Sequence, residues 1–273
     1  VTALTCSASV SPAGPWRLAG ARGVAADHRG RVLVADTGSH RVLVFSTDGV
    51  AEDEFGGYGW TESRLDGPTD LAVVPGFYVD VLDRGNRRVQ RFDVDGDYVD
   101  TVVGEGEVED PVALAVGRSG EVLVLDASSQ SVMVFSQFGE PMPSIGRFGT
   151  GEGGLVRPTG IAVGPRGEIA VADPGRASVE VFDEFGGHLR SLTGADSLRA
   201  VAVAFDRHGN LLAADEAGGV VLAFSPSGRI TARLDADPVA NLVAGMQDHR
   251  GAGLEAFQAF GGQTIPLAEL HCP

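Results

Sequence analysis

Three residue types recur along the chain at constant offsets. Asp36, Asp83, Asp126, Asp173 and Asp215 are each followed nine residues later by a phenylalanine, at Phe45, Phe92, Phe135, Phe182 and Phe224. Each phenylalanine is followed four residues later by a glycine, at Gly49, Gly96, Gly139, Gly186 and Gly228. The steps between copies are 47, 43, 47 and 42 residues. A fixed period in this range means that one supersecondary unit is repeated and that no copy buries its faces alone.

Within each copy, runs of four to six Val, Leu, Ala and Phe residues alternate with turns rich in Gly and Asp, which is the signal of strands joined by hairpins. Helical periodicity is absent from all five copies. In the first copy the strands are expected at 23–26, 31–35 and 41–45, with an outer strand ending near Phe55. The leading strands 71–74, 113–116, 160–163 and 201–204 are apolar on both faces and need cover on both sides. Four-stranded antiparallel sheets packed face to face around an axis meet that need and leave only short edges. A linear solenoid would favour parallel strands, whereas turns of two to four residues demand antiparallel pairing.

The chain is therefore predicted to be an all-β, six-bladed β-propeller of four-stranded antiparallel blades, forming a single domain over 1–273. Five full repeats occupy about 21–235, and a composite sixth blade combines 237–273 with 10–20. The C-terminal part has room for strands near 239–244, 252–257 and 264–270, and the leader supplies the outer strand. This is a Velcro closure by the N- and C-terminal strands. A second register, built on Asp248, Phe257 and Gly261, keeps the same offsets but leaves too little chain for two preceding strands. The two cysteines, Cys6 and Cys272, fall at this seam. A disulfide between them would replace the missing hairpin turn and implies an oxidising compartment, in the periplasm, at the cell surface or outside the cell.

The first repeat, from Gly23 through Ala35-Asp36-Thr-Gly-Ser-His40-Arg41 to Phe45, resembles the NHL repeat. Leu82-Asp83-Arg-Gly-Asn86-Arg-Arg88-Val89-Gln90-Arg91-Phe92 resembles it too, as do the leads Pro68-Thr69-Asp70 and Pro158-Thr159-Gly160 and the loop from Phe148 to Pro158. The resemblance implies a six-bladed propeller, in agreement with the strand count. Later copies depart from it: Ser131, Ser178 and Val220 stand where Arg41 and Arg88 do, and Ser39, Ser129, Arg176 and Gly218 stand where Asn86 does.

The recurring aspartates read as structural. A carboxylate at the end of the second strand can accept N–H groups of the following loop, and an arginine five residues on can pair with it. Function in a propeller is expected on the loops over the axial funnel, where the richest local set is Trp60, Asp70, Arg84, Arg87 and Arg88, with Trp60 as the anchor for a partner. His28 and His208 occupy turns at the opposite end, and His40, His188, His249 and His271 are scattered. Spacings for zinc, a nucleophile elbow or a phosphate loop are lacking. Asp93, Asp95 and Asp97 resemble part of a calcium loop, but the distal glutamate is missing.

A formal charge of −16 repels a phosphate backbone, which argues against nucleic acid as a partner. No apolar run approaches the length of a membrane span. The expectation is thus a non-enzymatic extracytoplasmic scaffold or protein–protein interaction subunit, with a protein or larger assembly as partner and no cofactor. The alternative is an enzyme, a lyase or a hydrolase of lactones and esters. That alternative follows from resemblance to NHL-like enzymes, which use a metal or polar cluster in the channel, and implies an Asp-lined axial channel with room for calcium or zinc. No such cluster can be matched residue by residue.

Overall fold

The computed structural model describes residues 16–74, 78–194, 197–235, 241–245 and 256–260. The first sheet contains β1 (Ala21–Ala26), β2 (Val32–Asp36), β3 (Arg41–Phe45) and β4 (Ala51–Gly56). The second contains β5 (Pro68–Val74), β6 (Tyr78–Asp83), β7 (Arg88–Asp93) and β8 (Tyr98–Val103). The third contains β9 (Pro111–Val116), β10 (Val122–Asp126), β11 (Ser131–Phe135) and β12 (Pro141–Ile145). A short parallel pair, β13 (Arg147–Phe148) and β14 (Gly154–Leu155), precedes the fourth sheet. That sheet holds β15 (Gly160–Val163), β16 (Ile169–Asp173), β17 (Ser178–Phe182) and β18 (His188–Leu192). The fifth holds β19 (Ala200–Phe205), β20 (Leu211–Asp215), β21 (Val220–Phe224) and β22 (Ile230–Asp235), and a two-stranded sheet pairs β23 (Asn241–Gly245) with β24 (Ala256–Phe260).

Each four-stranded sheet is antiparallel with its strands in chain order, and each is one blade of a propeller. The inner strands β1, β5, β9, β15 and β19 pack successively against one another. Blades bury their apolar faces in the interfaces between them. Phe92 packs between blades one and two, Phe135 between two and three, Phe182 between three and four, and Phe224 between four and five. In blades two to five the recurring phenylalanine is therefore the residue a blade buries against the one before it. All five are at most 2% exposed. The recurring glycines hold the turn between the third and fourth strands with φ of +75 to +86°. A Cβ on Gly139 would lie 2.3 Å from the Val102 carbonyl oxygen of the previous blade, so both conformation and space demand glycine.

Of the six four-stranded blades expected, the described residues show five. The two-stranded sheet lies between blades five and one, with β23 against β19 and β24 against β1. The leader strand is corrected. Residues 16–20 form no strand, and the Ala19 N–H donates to Asp36 Oδ1 at 2.7 Å. Residues 10–15, the strand expected near 264–270, and Cys6 and Cys272 lie outside the described residues.

Candidate functional site

The loops entering the inner strands and the loops following the second strands share one end of the propeller, and the recurring aspartates stitch them together. Asp83 Oδ1 accepts the Asp66 N–H at 2.6 Å, while its Oδ2 accepts Asn86 Nδ2 and Arg88 Nε, each at 2.8 Å. Asp126 accepts the N–H groups of Glu109, Asp110 and Ser129, each at 2.8 Å. Asp173 accepts those of Val156, Arg157, Gly175 and Arg176 at 2.7 to 3.2 Å, and Asp215 those of Arg199 and Ala217. In every blade the upstream donor lies 16 or 17 residues before the aspartate. At Asp126, burial opposes ionisation, but the three N–H donors outweigh it and hold the carboxyl below its ordinary range.

Two of the entering loops are longer and carry one shared framework. Gly56, Tyr58, Gly59, Glu62, Leu65 and Pro68 recur 90 residues later as Gly146, Phe148, Gly149, Glu152, Leu155 and Pro158. Leu65 and Leu155 are fully buried, and each loop closes on itself through parallel pairing, Tyr58 with Leu65 and Phe148 with Leu155. The buried leucine fixes each loop, and the aromatic residue is left outside. Tyr58 is 65% exposed, Trp60 74% and Phe148 70%. Tyr58 stands edge-on to His40 at 4.8 Å, and His40 Nδ1 accepts the Gly67 N–H at 2.9 Å.

Each loop is tied to its blade by an arginine. Arg88 donates to the carbonyls of Trp60, Thr61 and Arg64 at 2.8 to 3.0 Å, and Gln90 brackets the same segment by accepting from Ser63 N–H and donating to Arg64 O. In blade four Ser178 replaces that arginine, and Arg176 takes over from the adjoining turn by donating to the carbonyls of Gly149 and Gly151 at 3.0 to 3.2 Å. Arg176 also pairs with Glu180, which is fully buried and stands where Gln90 does in blade two. Glu180 accepts Ser178 Oγ and Ser191 Oγ at 2.6 Å each and bonds His188 Nε2 at 2.8 Å. Burial pushes its carboxyl up, but these hydrogen bonds and the Arg176 charge outweigh burial and lower it.

The residues singled out in the sequence separate on this geometry. Trp60 is on the open face. Arg87 is half-exposed, 3.9 Å from Glu105, and Arg84 pairs with Asp110 at 2.8 Å. Arg88 is committed to Asp83 and to loop carbonyls. Asp70 is on the inner strand, where its enclosed carboxylate accepts the N–H groups of Leu71 and, from the next blade, Leu114. Burial raises its pKa from 3.8 to about 7 against those two bonds. Asp93 Oδ1 accepts the N–H groups of Asp95 and Asp97, so this acidic triplet is a closed turn. Tyr58, Phe148 and the Glu180–His188 pair were not singled out in the sequence; the recurrence of the loop framework at 90 residues was the available signal.

Residues 18–45 match the NHL repeat. Over 126 residues, 45% of the chain, the sequence is 27% identical to protein brain tumor of Drosophila melanogaster, of whose length it spans 12%. Among solved structures, streptogramin B lyase superposes with a TM-score of 0.66 at 12% identity, covering 86% of this chain and 74% of that one. A chain of the nidogen/laminin complex does so with a TM-score of 0.64 at 15% identity, covering 80% of each. These two likenesses are of fold. Together with the five-fold recurrence of the Asp–Phe–Gly framework, the repeat match and the likeness to protein brain tumor support an NHL-repeat propeller.

Proposed function

We propose that this propeller is a non-enzymatic protein-interaction subunit whose partner docks on the funnel-face loops. The observation that carries the reading is the pair of framework-sharing loops that hold Tyr58, Trp60 and Phe148 outward while the polar groups beneath them are consumed by the scaffold. Exposed aromatic anchors on a rigid base suit protein recognition, because little side-chain entropy is lost on docking. The enzyme alternative would need carboxylates converging on an ion in the channel; Asp70 is instead engaged by two backbone N–H groups.

The same proposal takes the chain as one domain with the two-stranded sheet as the heart of a sixth blade. Phe45, Leu43 and Val32 are at most 1% exposed on the face of blade one turned away from blade two, where a neighbouring blade belongs. It also takes the protein to work outside the cytoplasm, with Cys6 bonded to Cys272. Alkylation of the denatured, non-reduced protein tests that bond: two blocked thiols support it, and two labelled thiols remove it.

The docking reading is tested by placing a photo-crosslinking phenylalanine analogue at Trp60 and, separately, at Phe148 in the native host. The expected result is the same protein adduct from both positions and none from Phe138, an exposed residue in the turn between β11 and β12. Adducts that differ at random between positions, or none, would defeat it.

A further inference from the structure

We propose that the loop 146–158, which carries Phe148, is latched by a proton: protonated His188 pairs with Glu152 and ties the loop to blade four, and loss of the proton releases it. Acid then fixes Phe148 in place and alkali loosens it. That consequence for docking rests on the protein-interaction reading, whereas the latch itself does not.

The latch lies where the loop touches the outer strand of its own blade. A Cβ on Gly153 would stand 3.2 Å from the His188 Cβ and 3.3 Å from a ring carbon of Phe182, so the loop rests directly on this histidine. The imidazole is wedged between two carboxylates. Its Nε2 is 2.8 Å from Glu180 Oε2, and its Nδ1 is 3.7 Å from Glu152 Oε1. Glu180 belongs to β17 and is fully buried; Glu152 belongs to the loop and is 84% exposed. Phe182 stands edge-on to the imidazole, with 5.5 Å between ring centres. Arg176 reaches Glu180 from the turn before β17, and Ser178 and Ser191 bond the same carboxylate. Arg190, on the same strand as His188, lies against Gly228 of blade five instead.

The neighbours set the order of protonation. Glu180 is held ionised, because its hydrogen bonds and the Arg176 charge outweigh burial. It therefore accepts the Nε2 proton of a neutral imidazole, which leaves Nδ1 as a bare lone pair facing the Glu152 carboxylate. A second proton, on Nδ1, turns that repulsive contact into a charge-assisted pair. Histidine is the side chain that changes charge between about pH 5 and 8.

The sister loop shows that the framework does not require these groups. Ninety residues earlier, Gln90, Tyr98 and Thr101 stand where Glu180, His188 and Ser191 do, and the Tyr98 hydroxyl bonds Thr101 at 3.0 Å. Those groups stay neutral over the same range of pH. Blade two thus supports its loop on uncharged hydrogen bonds, and blade four places a titrating pair at the same spot.

The test is hydrogen exchange of the whole protein, read by mass spectrometry at about pH 5.5 and about pH 8, with protection corrected for the intrinsic pH dependence of exchange. Protection of residues 146–158 is expected to be roughly two- to fivefold higher in acid, the range of an exposed ion pair. Glu152→Gln should abolish that difference, and so should His188→Gln. Glu62→Gln, at the same place in the sister loop, should leave it intact. Thermal midpoints serve as the folding control. Equal protection at both pH values, higher protection in alkali, or a difference that survives Glu152→Gln would overturn the latch. The crosslink at Phe148 reports separately. Capture of one partner by a loop without a pH response keeps the interaction reading and removes only the latch; a pH-responsive loop that captures nothing does the reverse.

Discussion

A carboxylate at the end of a strand is an ordinary residue until its hydrogen bonds are traced. Asp173 accepts four N–H groups from two loops that would otherwise be unsatisfied at a half-buried junction. Asp173→Ala is expected to lower stability by about 2–4 kcal/mol, read from urea unfolding, because several donors lose their acceptor at once. Asp48→Ala, in an exposed turn, should stay within about 0.5 kcal/mol. Asp70 behaves oppositely to the usual carboxyl. Its folded pKa, about 7, lies above its ordinary 3.8. The folded state thus holds the proton more tightly, and this group's contribution to stability falls as pH rises between those values and is flat above them. Asp70→Asn should remove that slope, so the variant gains stability relative to the parent from pH 4 to pH 7. A stability difference independent of pH across that window would refute the assignment. The structural role of the recurring aspartates was legible from their period. The reach back to a donor 16 or 17 residues upstream was not, because it depends on two loops meeting in space.

At the scale of the element, the two long loops show how a repeat can lose a residue and keep its function. Arg88 sits at the start of its blade's third strand, whereas Arg176 sits in the preceding turn, yet both donate to carbonyls of the loop before them. The sequence comparison registers only that the strand arginine fades in blade four. The compensation appears once the turn folds back over the loop. Arg176→Ala should therefore expose residues 146–158 to proteolysis, with cleavage rising roughly tenfold as local opening becomes easier, and with little change in the global unfolding midpoint. Arg88→Ala should do the same to residues 56–68. If both variants are cut no faster than the parent, the arginines are not what holds the loops. The exposed aromatics were half legible: Trp60 stands out as a large residue in an insertion. Tyr58 and Phe148 look like core residues until the buried leucines of the same loops are seen to take the inward position.

For the whole molecule the question is closure. Four of the recurring phenylalanines are buried against the blade before their own, and Phe45 is equally buried although the sheet before it has only two described strands. If the ring is closed there, Phe45→Ala should cost about 3–5 kcal/mol, like Phe92→Ala. A cost well below that of Phe92→Ala would mean an open seam.

The sequence by itself determined the repeating unit, its antiparallel strands, the buried phenylalanines and the glycines of the outer turns. Those features follow from local periodicity and from backbone conformations that only certain residues adopt. The tertiary structure alone decided which aspartates bridge which loops, which arginines tie the long loops down, and which aromatics face outward. Those outcomes depend on residues far apart in the chain meeting around an axis, and a one-dimensional pattern carries no information about which of several chemically similar groups will find a partner there.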